Sequence, residues 1–319
     1  MTTANDAGPL ETSLKSGRFV MTAEVTPPVS CDRADLHGKA LPLKGLADAV
    51  NVTDGAGARA HLGALASAAI LKENGIEPVL QLTCRDRNRL ALQSDLMGAA
   101  AFGITNLLVL RGDDPSAGDQ PDAKPVFDLD SRALIETAVG IRDRGELPSG
   151  RKVTGKASYF IGAADLPIDP PAGWKPKSLA DKISSGAQFA QTQFCMDIGV
   201  VRRYMARLTE EGLSRKVAIL IGVVPLRSAK SARWIKQHLF GAIVPDAFVE
   251  RLDYAGDPAA EGRQICVDFI AQLAEVPGVA GAHIMAPNNE AAIPEVIAQA
   301  RRIVKDRASL PRPGRRSVG

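Results

Sequence analysis

Short apolar runs alternate with amphipathic stretches along almost the whole chain. Eight runs rich in apolar and β-branched residues predict strands, and most of them end in glycine, proline or a polar turn. The predicted strands are Phe19–Pro28, Ala49–Gly55, Pro78–Cys84, Asn106–Leu110, Lys156–Gly162, Phe189–Asp197, Val217–Pro225 and Val279–Ala286. Their nearly continuous apolar character is typical of parallel strands that are covered by protein on both faces.

Segments with apolar residues at helical spacing separate these strands. Helices are predicted at Leu43–Asp48, His61–Asn74, Asn88–Phe102, Ser131–Arg144, Leu179–Gly186, Val200–Glu211, Ser228–Leu239, Ala247–Ala255, Gly262–Glu275 and Ala291–Arg307. Eight strands that are each followed by a helix, with no linker between halves, predict a single-domain (β/α)8 TIM barrel. A doubly wound open sheet is the alternative, but the Gly-x-Gly-x-x-Gly turn that normally accompanies it is absent.

The barrel is predicted to occupy residues 19–307 of the 319-residue chain. This length suits a barrel, which typically takes about 250 residues. Residues 1–18 are polar, lack the apolar segment of a signal peptide and are predicted to form an N-terminal extension. Residues 308–319 are predicted to form a basic C-terminal tail.

Composition narrows the classes of function. A formal charge of +3 and an aromatic content of 4% give little reason to expect a nucleic-acid partner. No apolar stretch reaches membrane-spanning length. The four cysteines, Cys31, Cys84, Cys195 and Cys266, show no metal-ligand spacing and indicate reduced thiols of a cytoplasmic protein without a metal site. Because barrels commonly associate through their outer helices, a homo-oligomer is expected.

Polar residues collect at the C-terminal ends of the predicted strands, which share one face of a barrel. The set comprises Glu24, Thr53, Asp54, Gln81, Thr83, Arg111, Asp113, Gln193, Asn288 and Asn289. Two of them, Glu24 and Asp113, would serve as an acid and an anionic partner if their surroundings favour different protonation states. This composition indicates a polar organic ligand and acid–base chemistry. Helix capping remains the alternative for the aspartate that follows Arg111.

Five short motifs occur in a characteristic order between Phe19 and Pro225. They are Ala23-Glu24-Val25-Thr26-Pro27-Pro28, Val52-Thr53-Asp54-Gly55-Ala56, Gln81-Leu82-Thr83-Cys84, Leu110-Arg111-Gly112-Asp113, and Lys182 with Gly186-Ala187 and Gln191-Thr192-Gln193-Phe194. This series resembles the methylenetetrahydrofolate reductase family. The resemblance implies a flavoprotein barrel of one-carbon metabolism and methionine biosynthesis. In it, FAD accepts hydride from NADH or NADPH and passes it to 5,10-methylenetetrahydrofolate, giving 5-methyltetrahydrofolate.

The resemblance also implies roles for individual residues. Glu24 would be the general acid that helps to open the five-membered ring of the folate, a role suited to a carboxyl group kept protonated by burial. Asp113 would lie beside the flavin and the pterin, and Gln193 would hydrogen-bond the pterin. The residues implied to line the FAD are Thr53, Gln81, Leu110, Arg111, Gly112, Asp113, Phe127 and Lys182. Of these, Arg111 or Lys182 suits its phosphates.

Three segments depart from the family pattern. Ala163-Ala164-Asp165-Leu166-Pro167 replaces a Tyr-Pro-Glu-x-His motif, and Pro287-Asn288-Asn289 replaces Leu-Asn-Arg. Ser231 and Ile235 stand at about the positions of a Gln and a Phe that hold the folate. These departures keep two alternatives open: a non-redox pterin or one-carbon barrel, either methyltransferase-like or a lyase, and a non-catalytic flavin- or folate-binding subunit.

Two further expectations complete the sequence picture. The four histidines, His37, His61, His238 and His283, are expected to be structural or on the surface. The choice between NADH and NADPH is left open, because the chain lacks the Rossmann turn in which the usual signature for the 2′-phosphate lies.

Overall fold

Eight parallel strands form a closed barrel in the computed structural model, which describes residues 7–309 and side chains up to residue 304. Each strand pairs with the next in chain order, and the eighth pairs with the first. The strands are β1 Val20–Val25, β2 Ala49–Val52, β3 Pro78–Thr83, β4 Asn106–Leu110, β5 Phe160–Asp165, β6 Phe189–Phe194, β7 Ala218–Val223 and β8 Val279–Ile284. The predicted (β/α)8 barrel is therefore confirmed.

Helices between the strands and after the last strand cover the outside of the barrel, and one further helix, α1, precedes β1. They are α1 Pro9–Lys15, α2 Arg33–Ala40, α3 Ala64–Glu73, α4 Arg89–Ala101, α5 Ser131–Arg144, α6 Lys177–Ser185, α7 Ile198–Glu210, α8 Ala229–His238, α9 Asp246–Tyr254, α10 Pro258–Leu273 and α11 Ile293–Ser309. Polar residues cap many of their N-termini: the side chains of Asn88, Asp130, Asp197, Ser228 and Asp257 accept backbone N–H bonds. These caps satisfy donors that the first helical turn leaves unpaired and explain where the helices begin.

Two predicted elements are wrong in position. The fifth strand begins at Phe160, whereas the sequence predicted Lys156–Gly162. Pairing with β4 starts at Phe160, so the residues just before it lie outside the sheet. Among them, Tyr159 is buried and its hydroxyl donates to the Leu96 carbonyl at 2.5 Å. The helix predicted at Leu43–Asp48 is replaced by the earlier helix α2 and a short 3-10 turn.

The interior of the barrel is apolar near the N-terminal ends of the strands. This floor consists of Leu10, Val20, Ala49, Val79, Leu108, Phe160, Phe189 and Leu220. The rings of Phe160 and Phe189 stack with their centroids 4.9 Å apart. Gly162 makes room for the stack, because a Cβ at this position would lie 2.3 Å from the Phe189 ring.

Helix α1 closes the N-terminal end of the barrel through Leu10, which is completely buried in the floor. No helix is predicted there from the sequence, since this seven-residue segment lies in the region assigned to an extension. The domain boundaries at residues 18 and 307 remain predictions. Residues 310–319 of the predicted basic tail lie outside the described residues.

Substitution of Leu10 tests whether α1 is part of the barrel core. Leu10→Ala should lower the free energy of unfolding by about 2–5 kcal/mol, because it removes buried methyl groups and leaves a cavity. Leu90→Ala is the control, because Leu90 is 68% exposed and surface substitutions change stability by only about 0.5 kcal/mol. Urea unfolding curves of both variants would measure the difference. Equal stabilities would contradict the role of α1 in closing the barrel.

Candidate functional site

Polar side chains occupy the barrel interior beyond the apolar floor. Alternate residues of a strand point to the same face, so Thr22 and Glu24 follow Val20 into the interior along β1. The inward-facing polar residues are Thr22, Glu24, Asn51, Thr53, Gln81, Thr83, Gln191, Gln193 and His283. The C-terminal half of the barrel interior is therefore lined by polar side chains, at the end where barrel enzymes place their chemistry.

Glu24 lies among these side chains, near the C-terminal end of β1. The amide of Gln81 donates from Nε2 to Glu24 Oε2 at 2.9 Å, and His283 Nε2 lies 3.5 Å from the same oxygen. The Glu24 side chain is 20% exposed to solvent. A carboxyl group that is mostly enclosed, hydrogen-bonded on one oxygen and still open to a ligand is suited to proton transfer.

His283 is the residue near Glu24 that sequence reasoning missed. It is 2% exposed, and no motif marks it. Its place in the middle of the predicted eighth strand was the available signal. Apolar residues surround it on both sides, however, so alternation did not show which face of the strand it occupies.

A hydrogen-bonded layer of four residues lies beneath Glu24. Asn51 and Gln191 exchange amide hydrogen bonds of 2.6 and 3.0 Å, and Gln191 Nε2 donates to Thr22 Oγ1 at 3.0 Å. Thr22 Oγ1 lies 2.9 Å from His283 Nδ1. All four side chains are at most 3% exposed. Their mutual hydrogen bonds allow these polar groups to be buried at low cost.

Thr53 presents an unpartnered hydroxyl near the C-terminal end of β2. The residue is 4% exposed, and its Oγ1 has no hydrogen-bond partner among the described residues. Leaving a buried hydroxyl unsatisfied costs about 1–3 kcal/mol. A ligand with a polar atom at this position would relieve that cost.

The loop after β4 carries Arg111, Gly112 and Asp113. Gly112 has φ +90°, and a Cβ there would lie 2.9 Å from the Cβ of Arg85, so glycine fits both the conformation and the space. The Arg111 guanidinium lies over the Phe127 ring, 4.8 Å from its centroid. Asp113 is exposed. The structure thus brings Arg111 and Phe127 together, although they are separated by a long connection.

Charged residues brace the ends of β2 and β3. Asp54 accepts hydrogen bonds from the Thr83 backbone N–H at 2.8 Å and from its hydroxyl at 2.9 Å, and it pairs with Arg87. A hydrogen bond to Asp86 raises the pKa of buried Arg85, and the charges of Asp54 and Asp113 add to this effect, whereas burial lowers it. These ion pairs hold the strand ends in place. The Asp54 carboxylate already has hydrogen-bond partners within the protein.

Lys182 and Gln193 both contact backbone carbonyls. Lys182 Nζ, on α6, donates to the Ala164 carbonyl at 2.6 Å and so lies beside the end of β5. Gln193 Nε2 donates to the Phe240 carbonyl at 3.2 Å, while its Oε1 accepts the Phe194 N–H at 3.0 Å. Gln193 therefore stands at the C-terminal end of β6, and the Lys182 ammonium reaches the C-terminal end of β5 from α6.

Neither a metal cluster nor a membrane-spanning helix is found within the described part of the chain. No three His, Cys, Asp or Glu side chains there are grouped to hold a metal ion, and none of its helices is long and apolar enough to cross a bilayer. The cysteines are free thiols. Burial raises the pKa of Cys84 to about 11 and that of Cys195 to about 12, so neither is a ready nucleophile.

Asp165, in the segment that departs from the family pattern, pairs with α7. The Tyr204 hydroxyl donates to Asp165 Oδ2. Burial raises the pKa of Asp165, which the Tyr204 hydrogen bond and the charge of Lys182 partly oppose. Burial likewise raises the pKa of Tyr204. This pair joins β5 to α7 on the outside of the barrel, so Asp165 supports the fold at this point.

Removal of the Tyr204 hydroxyl tests this support. Tyr204→Phe should lower the free energy of unfolding by about 1–3 kcal/mol, because Asp165 stays buried without its donor. Tyr254→Phe is the matched control, because Tyr254 is 90% exposed. The comparison requires denaturant curves for both variants at one pH. Equal values for the two variants would show that the Asp165–Tyr204 pair carries no stability.

The fold and the geometry together define a TIM-barrel protein whose polar side chains converge at the C-terminal face of the barrel. The family model described as methylenetetrahydrofolate reductase matches residues 9–301. The chain therefore belongs to the methylenetetrahydrofolate reductase family, as its motifs predicted.

Relatives named as methylenetetrahydrofolate reductases share sequence with this chain. A probable methylenetetrahydrofolate reductase (NADPH) of Caenorhabditis elegans is 24% identical over 240 residues, which cover 72% of this chain and 33% of the relative. A 5,10-methylenetetrahydrofolate reductase of Pectobacterium carotovorum subsp. carotovorum is 26% identical over 165 residues, or 50% of this chain and 48% of the relative. The match thus spans about a third of the nematode protein and about half of the bacterial one.

Solved structures share the barrel at low sequence identity. A Clostridium thermocellum protein that binds two copies of 5-methyl-5,6,7,8-tetrahydrofolic acid has a TM-score of 0.65 and 13% identity, with 93% of this chain and 99% of that chain covered. The EDTA monooxygenase of Chelativorans sp. BNC1 has a TM-score of 0.55 and 13% identity, with coverage of 92% and 95%. At this level of identity the likeness shows the fold alone.

Proposed function

We propose that the protein is a flavin-dependent methylenetetrahydrofolate reductase. FAD would carry hydride from NADH or NADPH to 5,10-methylenetetrahydrofolate in a ping-pong reaction that gives 5-methyltetrahydrofolate. The observation that carries the proposal is the setting of Glu24: a sheltered carboxyl group at the mouth of a barrel of this family, with a donor on one oxygen. A homo-oligomeric state, a cytoplasmic location and a place in methionine biosynthesis remain predictions.

Several features of the barrel mouth support the proposal of a flavin there. The orphaned hydroxyl of Thr53 offers a buried hydrogen-bonding position, and Gly112 lets the chain turn closely after β4. The cations of Arg111 and Lys182 suit a diphosphate. The residues that would hold the cofactor are Thr53, Gln81, Leu110, Arg111, Gly112, Asp113, Phe127 and Lys182. When bound, FAD supplies a two-electron hydride acceptor and donor.

Glu24 would protonate the folate nitrogen that leaves carbon when the five-membered ring opens. The hydrogen bond from Gln81 stabilises the carboxylate that this transfer produces. Asp113 would lie beside the flavin and the pterin and act on both through its charge. Gln193, at the end of β6, would exchange its contact with the Phe240 carbonyl for a hydrogen bond to the pterin.

A second candidate function is a folate barrel without redox chemistry, whether a methyltransferase-like protein, a lyase or a non-catalytic subunit. It is favoured by the positions that depart from the family pattern. Ser231 is used in a capping box with Ser228, and Ile235 is buried in the core. Asn289 donates to the Pro225 carbonyl at 3.1 Å. These side chains make contacts within the protein, so folate binding would rely on other residues.

Glu24→Gln separates the two halves of the proposed reaction. The purified protein should be yellow with FAD, bleach anaerobically with NADH or NADPH, and regain its colour with methylenetetrahydrofolate. The variant should bleach normally but be reoxidised by folate about 10²–10⁴-fold more slowly, because a general acid contributes on this scale. Stopped-flow absorbance of the flavin measures both steps.

Glu73→Gln is the control for this experiment, because Glu73 is an exposed residue of α3. Full-speed folate reduction by Glu24→Gln would show that Glu24 is not the acid. A colourless protein that cannot be reconstituted with FAD would overturn the redox proposal and favour the second candidate.

Thr53→Val tests the flavin position. It should weaken FAD binding about 2- to 12-fold, because one net hydrogen bond is worth about 0.5–1.5 kcal/mol. Thr53→Ser keeps the hydroxyl and should bind like the unchanged protein. Titration of the apoprotein with FAD, followed by flavin fluorescence, gives the dissociation constants. Identical affinities for the valine and serine variants would place the flavin elsewhere.

A further inference from the structure

The direction of the buried hydrogen bonds beneath Glu24 determines where His283 carries its proton. Gln191 Nε2 carries two hydrogens and lies 3.0 Å from both Asn51 Oδ1 and Thr22 Oγ1, with His283 Nδ1 at a longer 3.3 Å. Its hydrogens serve the two shorter contacts, and a hydrogen shared with His283 Nδ1 would likewise require that nitrogen to be an acceptor. Thr22 Oγ1 therefore accepts from Gln191, and its own hydrogen remains to be donated. The ring nitrogen His283 Nδ1, 2.9 Å away, is the acceptor that faces it.

The opposite arrangement leaves a buried hydrogen without a partner. If His283 Nδ1 carried a proton, Thr22 Oγ1 would accept from both Gln191 and His283. The Thr22 hydroxyl hydrogen would then have no acceptor among the described residues, although the side chain is fully buried. An unsatisfied buried donor is costly, so the layer selects an unprotonated Nδ1.

A neutral imidazole that accepts at Nδ1 carries its proton on Nε2. This Nε2 faces Glu24 Oε2 at 3.5 Å, and Gln81 Nε2 donates to the same oxygen at 2.9 Å. Gln81 thus hydrogen-bonds Oε2 and His283 Nε2 lies nearest the same oxygen, while Glu24 Oε1 has no hydrogen-bond partner among the described residues. A proton on the carboxyl group is therefore placed on Oε1, because a protonated Oε2 would oppose both donors.

We propose that Thr22 and Gln191 lock His283 as the Nε2–H tautomer, and that His283 and Gln81 together make Glu24 Oε1 the oxygen that delivers the proton. Thr22, Gln191 and His283 are then positioning residues that act through Glu24. The tautomer follows from the buried layer itself. The assignment of Oε1 as the delivering atom rests on the proposed function.

Nitrogen-15 NMR of the full chain labelled at histidine tests the tautomer directly. His283 should show a protonated Nε2 and an unprotonated Nδ1, with its signals assigned by their loss in His283→Gln. His238 provides an internal contrast, because its Nδ1 lies 3.0 Å from the Trp234 carbonyl, which only accepts, and should be protonated. A protonated Nδ1 on His283 would overturn the proposal.

Thr22→Val and Thr22→Ser test the lock. The valine variant removes the hydroxyl that donates to Nδ1 and leaves only the longer 3.3 Å contact from Gln191 Nε2, so it should show a mixture of His283 tautomers. The serine variant should keep the Nε2–H form. The folate half-reaction should slow about tenfold in Thr22→Val, the scale of one hydrogen bond, with flavin reduction and KM unchanged. An unaltered tautomer in Thr22→Val, or equal folate half-reaction rates in the two variants, would contradict the proposal.

Failure of this proposal is distinguishable from failure of the proposed function. If the protein never reduces methylenetetrahydrofolate but His283 shows the Nε2–H signature, the tautomer assignment stands and the proposed activity is wrong. If folate is reduced while His283 Nδ1 is protonated, the activity stands and the positioning account is wrong.

Discussion

Four buried polar side chains, Thr22, Asn51, Gln191 and His283, hold the centre of this barrel. They satisfy one another only when β1, β2, β6 and β8 close into a ring, since Thr22 and His283 are 261 residues apart in the chain. A break in the ring would leave buried polar groups without hydrogen-bond partners, each at a cost of about 1–3 kcal/mol. The same layer presents His283 to Glu24. Closure of the fold and placement of the candidate acid therefore depend on one set of contacts.

The barrel divides into three levels along its axis. The floor is apolar and closed by α1, the middle layer is polar and internally satisfied, and the mouth keeps polar groups available to a ligand. The hydroxyl of Thr53 has no partner, and Glu24 retains an open side. This contrast indicates where a ligand would bind. The surrounding ion pairs, such as Asp54 with Arg87, hold the strand ends in place.

Much of the architecture is predictable because the sequences of buried parallel strands are apolar runs with glycine and proline at their ends. The failures have physical causes. Helix α1 is too short for a periodic signal. Ala157 and Tyr159 are buried like strand residues, but the sheet pairing starts only at Phe160. The strand-end position of Glu24 was predictable. His283 was not, because alternation in a strand buried on both faces does not separate inward from outward residues.

The most direct test of the proposed activity follows the transferred carbon. The purified protein, with FAD and NADH or NADPH, would be incubated anaerobically with tetrahydrofolate carrying a carbon-13 methylene bridge. Carbon-13 NMR should show the bridge signal replaced by that of a methyl group on nitrogen, in amounts that follow the consumption of NADH or NADPH. An unchanged bridge signal, with FAD bound and both nucleotides tried, would contradict the account.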